Sequence, residues 1–188
     1  MKTCKKCLLP ETLETIEFKE TGCNICHSTT EIKKNIDWKQ RNIDLLEIIN
    51  KFKGKHDYDC IIPFSGGKDS TYQLYYVTKI LKLKPLVIRF NHGFLRKGIQ
   101  KNTEKTLRKL GVDFLDFTPN WRIVKKLMLE SFSRKTDFCW HCHTGIYSYP
   151  TRLAIKLDIP LIIWGEPTAE FNAYYDYSEI EVEDEEKF

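Results

Sequence analysis

Long apolar runs are missing from this 188-residue sequence. No stretch approaches the roughly 18 consecutive apolar residues that a membrane-spanning helix requires. The N-terminal Met-Lys-Thr-Cys-Lys-Lys-Cys carries no apolar core of the kind a signal peptide has. A concentrated charge of one sign is missing too. The formal net charge is +4, and Lys and Arg are scattered; those between Lys101 and Lys109 read as a solvated helix face. Without a basic stripe, a nucleic-acid partner is not called for. There is no repeat of solenoid type, and the G-x-x-x-x-G-K-S/T loop of kinases and GTPases does not occur. These absences leave a cytoplasmic protein with no membrane association. Its 41% apolar and 30% charged content is ordinary, and its length suffices for one α/β domain plus a small appendage.

What is there, first of all, is cysteine. A reducing compartment argues against disulfides for the seven cysteines, and six of them fall into three C-x-x-C pairs, which points to metal or redox chemistry. Cys4-x-x-Cys7 and Cys23-x-x-Cys26 are separated by the 15 residues 8 to 22, the spacing of a tetrahedral four-thiolate zinc site. Four thiolates close the coordination shell, so the expected role is structural. His27, directly after a ligand, reads as a surface residue. The third pair stands in Cys139-Trp140-His141-Cys142-His143. Three readings are open: a second metal site that His141 or His143 completes, an iron–sulfur cluster, or a wall of the substrate pocket. A cluster needs a third ligand; the spare thiol, Cys60, begins a central strand and reads as a small apolar core residue.

Alternation of strands and helices dominates the middle of the chain. Asp59–Phe64, Pro85–Phe90, Val112–Phe117 and Leu161–Trp164 read as strands. Helices are expected over 37–53, Thr71–Lys82, Ile99–Leu110, where Gly111 stops the helix, and Trp121–Phe132, with Pro150 in the first turn of one running to about Leu157. This predicts βαβ units and a parallel sheet with helices on both faces. The implied layout is a cysteine module over 1–30, a linker helix over 31–56, an ATP-binding α/β domain over 57–171, and a tail over 172–188. That tail holds Tyr174, Tyr175 and Tyr177 and then an acidic, solvated run to Glu186. Ligands of such sheets bind beyond the carboxyl ends of the strands, here near Ser65, Phe90–Asn91, Thr118 and Gly165–Glu166.

Ser65-Gly66-Gly67-Lys68-Asp69-Ser70 lies between a buried strand and a helix start. Its glycines let the backbone turn and approach a ligand, successive N–H groups form an anion nest, and the following helix directs its positive end there. Ser65 and Ser70 add hydroxyls and Lys68 a cation. Asp69 makes sense as a magnesium contact or a helix cap. Phe90 and Asn91 are placed near adenine and ribose, Gly165 at the same sheet edge, and Glu166 against magnesium or substrate, with Glu170 a weaker candidate. Trp140 and Trp164 are candidates for stacking on a sugar or for core packing.

The Ser65–Ser70 loop resembles the signature of the PP-loop ATP pyrophosphatases, which have the adenine nucleotide alpha-hydrolase-like fold. Among these are asparagine and GMP synthetases, tRNA thiolation enzymes and certain sugar amidotransferases. Cys4-Lys-Lys-Cys-Leu-Leu-Pro-Glu-Thr12, the second Cys pair, Tyr58–Phe64, Phe138–Gly145 and Ile159–Pro167 together resemble the N-acetyl sugar amidotransferases of surface-polysaccharide (lipopolysaccharide) and nonulosonic-acid pathways. ATP, Mg2+ and Zn2+ are the expected cofactors, and Lys68, Asp69 and Glu166, by their places in the loop and at the strand end, are the expected catalytic residues. The resemblance implies adenylylation of an N-acetyl amide on a sugar, often nucleotide-linked, followed by displacement of AMP by ammonia to give an acetamidino group. The ammonia would come from glutamine through a separate glutaminase subunit. Members of that family are longer, so this chain is read as a fragment, a split subunit or a nucleotide-binding half that acts with a partner, and a homo-oligomer is a separate expectation. Two other readings share the loop: a tRNA sulfur transferase with a metal or iron–sulfur centre, and a nucleotide-binding half-subunit that needs a partner.

Overall fold

A computed structural model describes residues 1–12 and 16–165. The chain divides into two compact units, Met1–Glu47 and one that begins at Ile48.

In the first unit, β1 (Phe18–Lys19) pairs antiparallel with β2 (Gly22–Cys23), and α1 (Asn24–Asn35) follows directly. The turn that carries Cys4 and Cys7 is closed by Cys4 N–H donating to Leu9 O and Leu8 N–H donating to Cys4 O, both at 2.9 Å. α1 starts inside the cysteine module, where no helix is expected from the sequence, with Cys23 as its N-cap residue and Cys26 in its first turn. Strands of two residues bury almost nothing. Among the described residues of this unit, the buried apolar side chains are Cys4 and Cys23.

Helix α2 (Trp38–Phe52) leads to the second unit. There β3 (Cys60–Pro63), β4 (Pro85–Phe90) and β5 (Asp113–Phe117) form a parallel sheet in the order β3-β4-β5. Register runs Ile61 to Leu86 and Ile88 to Leu115. Between the strands lie α3 (Lys68–Tyr75) with a π-helical turn (Tyr76–Ile80), then α4 (Lys97–Leu110); α5 (Trp121–Lys135) and α6 (Trp140–Lys156) follow β5. Cys60, Ile61, Ile62, Leu86, Val87 and Ile88 are buried whichever way they point, as expected of parallel strands flanked by helices. Ile61, Leu86 and Ile88 pack with Ala154 of α6 and with Ile159. β5 is the exposed edge, tied down by the Arg89–Asp116 ion pair across the β4–β5 ladder and by the Arg89 guanidinium over the Phe114 ring. Buried Asp59 closes the entrance to β3: one carboxylate oxygen accepts from Gly54 N–H at 2.6 Å and the other from Lys84 N–H at 2.7 Å.

Three expectations change. The helix after the loop begins at Lys68, not Thr71, so half of the expected loop is its first turn. The segment 161–164 makes a single parallel bridge, Ile162 to Ile61, rather than a strand; Ile61 N–H donates to Leu161 O and Ile163 N–H to Ile61 O. Pro150 is not in a first turn but deep inside α6, where it is fully buried. Its missing N–H leaves one helical carbonyl without its usual donor, a cost that packing against the sheet offsets. Among the described residues no helix is long and apolar enough to cross a membrane. Glu166, Glu170, the tail tyrosines and the acidic run lie outside the described residues.

Candidate active site

The end of β3 makes the phosphate-loop geometry. Phe64 N–H, just past the end of β3, donates to Ile88 O of β4 at 2.8 Å. The chain then turns at Gly66 with φ +79°, where a Cβ would sit 2.5 Å from Thr103 Oγ1 and 3.0 Å from Ile99 Cγ2 of α4. Only glycine fits there. Gly67 has an ordinary φ of −76° and is the N-cap of α3, with no side chain closing the cap. The first-turn N–H groups of α3 therefore open toward the loop. Ser65 Oγ and Ser70 Oγ lie 3.1 Å apart, and Ser65 Oγ also accepts from Gly67 N–H at 3.3 Å. Lys68 Nζ reaches both carboxylate oxygens of Asp69, at 2.8 and 3.1 Å. One carboxylate beside an anion nest fits magnesium, which takes one or two carboxylates and completes its shell from phosphates and water.

A cavity of about 180 Å³ runs from Ser65 and Ser70 across the carboxyl ends of β3 and β4; Phe90, His92, Trp164 and Gly165 line it as well. The Phe90 ring rests on Gly145, where a Cβ would fall 2.3–2.6 Å from ring carbons. Gly165 passes equally close to α3: a Cβ there would meet Gln73 Oε1 at 2.7 Å, and Gln73 Nε2 donates to Ile163 O at 2.6 Å. So Ser65, Ser70, Phe90, Trp164 and Gly165 come together. Asn91 does not offer its side chain to the cavity; its Oδ1 accepts from Gly93 N–H at 3.0 Å and shapes its own turn. Trp140 is absent from the cavity walls and sits under Lys135 Nζ.

Sequence reasoning stopped one residue short at the exit of β4. His92 lines the cavity, and its Nδ1 accepts from Phe94 N–H at 3.2 Å. Burial, and then the charges of His141 and Arg89, hold its pKa below the ordinary 6.5. The Asn-His-Gly turn was the available signal. Gln73 gave none, because its partner lies 90 residues away.

Cys4, Cys7, Cys23 and Cys26 bring their four sulfurs within 4.8 Å of one another. Cys4 Sγ lies 3.9 Å from Cys26 Sγ, and Cys7 Sγ 3.6 Å from Cys23 Sγ. Zn–S bonds of 2.3 Å in a tetrahedron require sulfurs about 3.8 Å apart, so the donor set fits. Backbone N–H groups of Cys7 and Lys6 pull the Cys4 thiol down to about 6, while neighbouring thiols, Cys7 foremost, push Cys26 up to about 12. A cation at the centre would relieve that crowding of charge.

The third cysteine pair behaves otherwise. Among the described residues, Cys4, Cys7, Cys23 and Cys26 are the group whose ligand atoms converge as a metal site; Cys139 and Cys142 are outside that group, at the start of α6, the first exposed and the second half-buried. Cys139 is the N-cap residue of α6 and Cys142 stands in its first turn, whereas His141 turns inward at 6% exposure, and His143 is exposed. Burial, with Cys139 beside it, pushes the Cys142 thiol up, and Cys60 is buried in β3 with its thiol pushed up to about 12.

No family model matches the chain. An uncharacterised protein of Methanocaldococcus jannaschii is 25% identical over 165 residues, covering 76% of this chain and 58% of that protein. The glutamine-hydrolysing GMP synthase of Plasmodium falciparum is 27% identical over 146 residues, covering 68% of this chain and 26% of that protein. Among solved structures, the NH3-dependent NAD synthetase of Campylobacter jejuni superposes with a TM-score of 0.55 at 13% identity, over 75% of this chain and 62% of that one. The last likeness is one of fold: the second unit has the α/β fold of the PP-loop ATP pyrophosphatases. The chain spans 58% and 26% of the length of the two curated relatives it matches.

Proposed function

We propose that this protein is an ATP-dependent amidotransferase that cleaves ATP between the α- and β-phosphates, adenylylates the amide oxygen of an N-acetyl sugar and lets ammonia displace AMP. The observation that carries the reading is the junction of β3 and α3. There the Ser65 and Ser70 hydroxyls line one end of a cavity, and the uncapped start of α3 carries the solvent-facing Lys68–Asp69 pair between them in sequence. Such a site holds the departing pyrophosphate by backbone N–H groups and hydroxyls, without proton transfer. An amide carbonyl is a poor electrophile, and adenylylation converts its oxygen into a leaving group. The relative named as hydrolysing glutamine supports nitrogen rather than sulfur as the incoming atom. Trp164, whose ring packs on Tyr147 at 5.0 Å, offers a cavity-side aromatic face for the sugar.

The surface-polysaccharide and nonulosonic-acid setting, the glutaminase partner, cytoplasmic location, zinc in the four-cysteine site and magnesium at Asp69 belong to the same proposal. So does the division into a cysteine module over 1–30, a linker to 56 and an ATP-binding domain from 57.

The test supplies purified protein with ATP, magnesium, ammonium and a panel of UDP-N-acetyl sugars, and follows pyrophosphate. Release that needs both sugar and ammonium is expected, and Asp69→Asn should abolish it. Nucleotide binding without turnover for any sugar would instead favour a half-subunit that needs a partner. Sulfur transfer to tRNA by anaerobically prepared, brown protein would replace the amidotransferase reading altogether.

A further inference from the structure

The cavity is asymmetric. Its phosphate-loop end offers several donors, and its far wall, where β4 exits, carries His92. Three observations describe that histidine. Its Nδ1 accepts the Phe94 N–H, so in the neutral ring the proton sits on Nε2. Among the described residues Nε2 has no hydrogen-bond partner. The ring is also fixed: it stacks on Phe94 at 5.9 Å with an interplanar angle of 19°, and Phe94 in turn packs edge-on against Trp121 at 5.7 Å. Gly93, between the two, has φ +88°, and a Cβ there would meet the Trp121 ring at 3.1 Å. The turn is thus locked around a single N–H donor on the wall of a cavity that also holds Ser65 and Ser70.

We propose that His92 Nε2–H is the hydrogen-bond donor to the α-phosphoryl group of the nucleotide, a second anion seat separate from the phosphate loop. The inference rests on the nucleotide-binding part of the function proposed above and deepens it. In a nucleoside triphosphate the α-phosphate follows directly on the pyrophosphate unit that the loop holds, so a chain seated at Ser65 and Ser70 extends its α-phosphate along the same cavity. In the transfer, the acceptor oxygen forms a bond to the α-phosphorus while the bond to the bridging oxygen breaks, and that electron pair leaves on pyrophosphate. His92 keeps its proton throughout. It donates to a non-bridging oxygen, where a prepositioned N–H is worth most as charge develops. Burial, and then the His141 and Arg89 charges, lower the pKa of the ring, in the direction that favours the tautomer the Phe94 N–H selects.

The experiment measures binding of AMP, pyrophosphate and UDP to the full chain by calorimetry, with no turnover required. Gln places its amide nitrogen near the position of imidazole Nε2, and Asn places its own near Nδ1. His92→Ala and His92→Asn should weaken AMP by about tenfold or more, the loss of one hydrogen bond to a charged group. His92→Gln should retain most of the affinity. Pyrophosphate affinity should stay unchanged in all three, which also shows that each variant is folded. Equal AMP affinity in wild type and His92→Ala overturns the inference, as does rescue by Asn as good as by Gln, or dependence of UDP rather than AMP on His92. In each of these outcomes nucleotide binding at the loop stands. Absence of both AMP and pyrophosphate binding to the wild type overturns the inference and the nucleotide reading together.

Discussion

Met1–Glu47 holds its turns with cysteine: strands of two residues, Cys4 and Cys23 as the buried apolar side chains, and four sulfurs within 4.8 Å. The unit that begins at Ile48 holds its strands with branched aliphatic residues packed on both faces of a sheet. The first has too little apolar area to offset the entropy of ordering its chain, so its order depends on what the sulfurs bind. The second has a core of buried aliphatic side chains and is expected to fold without a ligand. The contrast separates two kinds of fragility, and each can be broken without the other.

The largest effect is expected from metal removal. Binding of a structural ion to four thiolates supplies about 10–16 kcal/mol in isolated zinc modules. Cys23→Ser, or a strong chelator, should abolish stoichiometric metal by elemental analysis and open residues 1–47 to limited proteolysis. A fragment beginning near Ile48 should stay resistant. Continued resistance of the first 47 residues after complete metal loss would show that the cysteine unit has a core of its own, and the comparison would fail. The reciprocal change is Ile88→Ala, which empties a fully buried site between β3, β4 and α6. A cost of about 2–5 kcal/mol is expected for such a truncation. It should appear as a lower urea midpoint of the second unit, with metal content unchanged.

The legibility of the chain follows the same division. The cysteine spacing names four ligands because chelation constrains which residues must meet, and the structure brings their sulfurs together. Continuous apolar runs place β3 and β4 closely, since buried parallel strands carry a local signal, and β5, the exposed edge, falls within the expected 112–117. The helix inside the cysteine module, Asn24–Asn35, was missed because the sulfurs, not an apolar stripe, hold its start. Helix α6 was misplaced because a Pro inside a helix reads as its beginning. Cys139-x-x-Cys142 reads like a ligand pair, and what the sequence does not show is that the intervening His141 turns inward while His143 stays exposed. His92 and Gln73 depend on contacts that no local pattern encodes.

Two glycines sharpen the contrast within the second unit. Gly66→Ala must adopt φ +79° with its methyl 2.5 Å from Thr103 Oγ1, so it should cost about 1–2 kcal/mol from the backbone alone, plus the clash, and weaken pyrophosphate binding with it. At Gly67, φ is ordinary and a Cβ would meet only Ser65 Oγ at 3.4 Å. Gly67→Ala should therefore leave the urea midpoint within about 0.5–1 kcal/mol, the spread of benign helix-terminus changes. If it nevertheless weakens pyrophosphate binding, the methyl is occupying ligand space. Equal stability losses at both positions would contradict the loop geometry.

The smallest effect concerns pH and lies at the His92 turn. The folded pKa of His92 is below its ordinary 6.5, whereas the unfolded chain titrates near that ordinary value. Between the two values the unfolded state binds more protons than the folded one, so stability rises with pH across that window. It is lost as pH falls below about 6.5 toward the folded value, the reverse of a histidine that gains a carboxylate partner. His92→Gln has no ring to protonate and should remove this part of the slope. Urea midpoints at pH 7.5 and 5.5, compared between wild type and His92→Gln, isolate it, because acid loss of metal from the cysteine unit is common to both proteins and cancels. A steeper acid loss in His92→Gln than in wild type would mean that the turn stabilises the charged imidazole, contrary to the burial and the His141 and Arg89 charges that surround it.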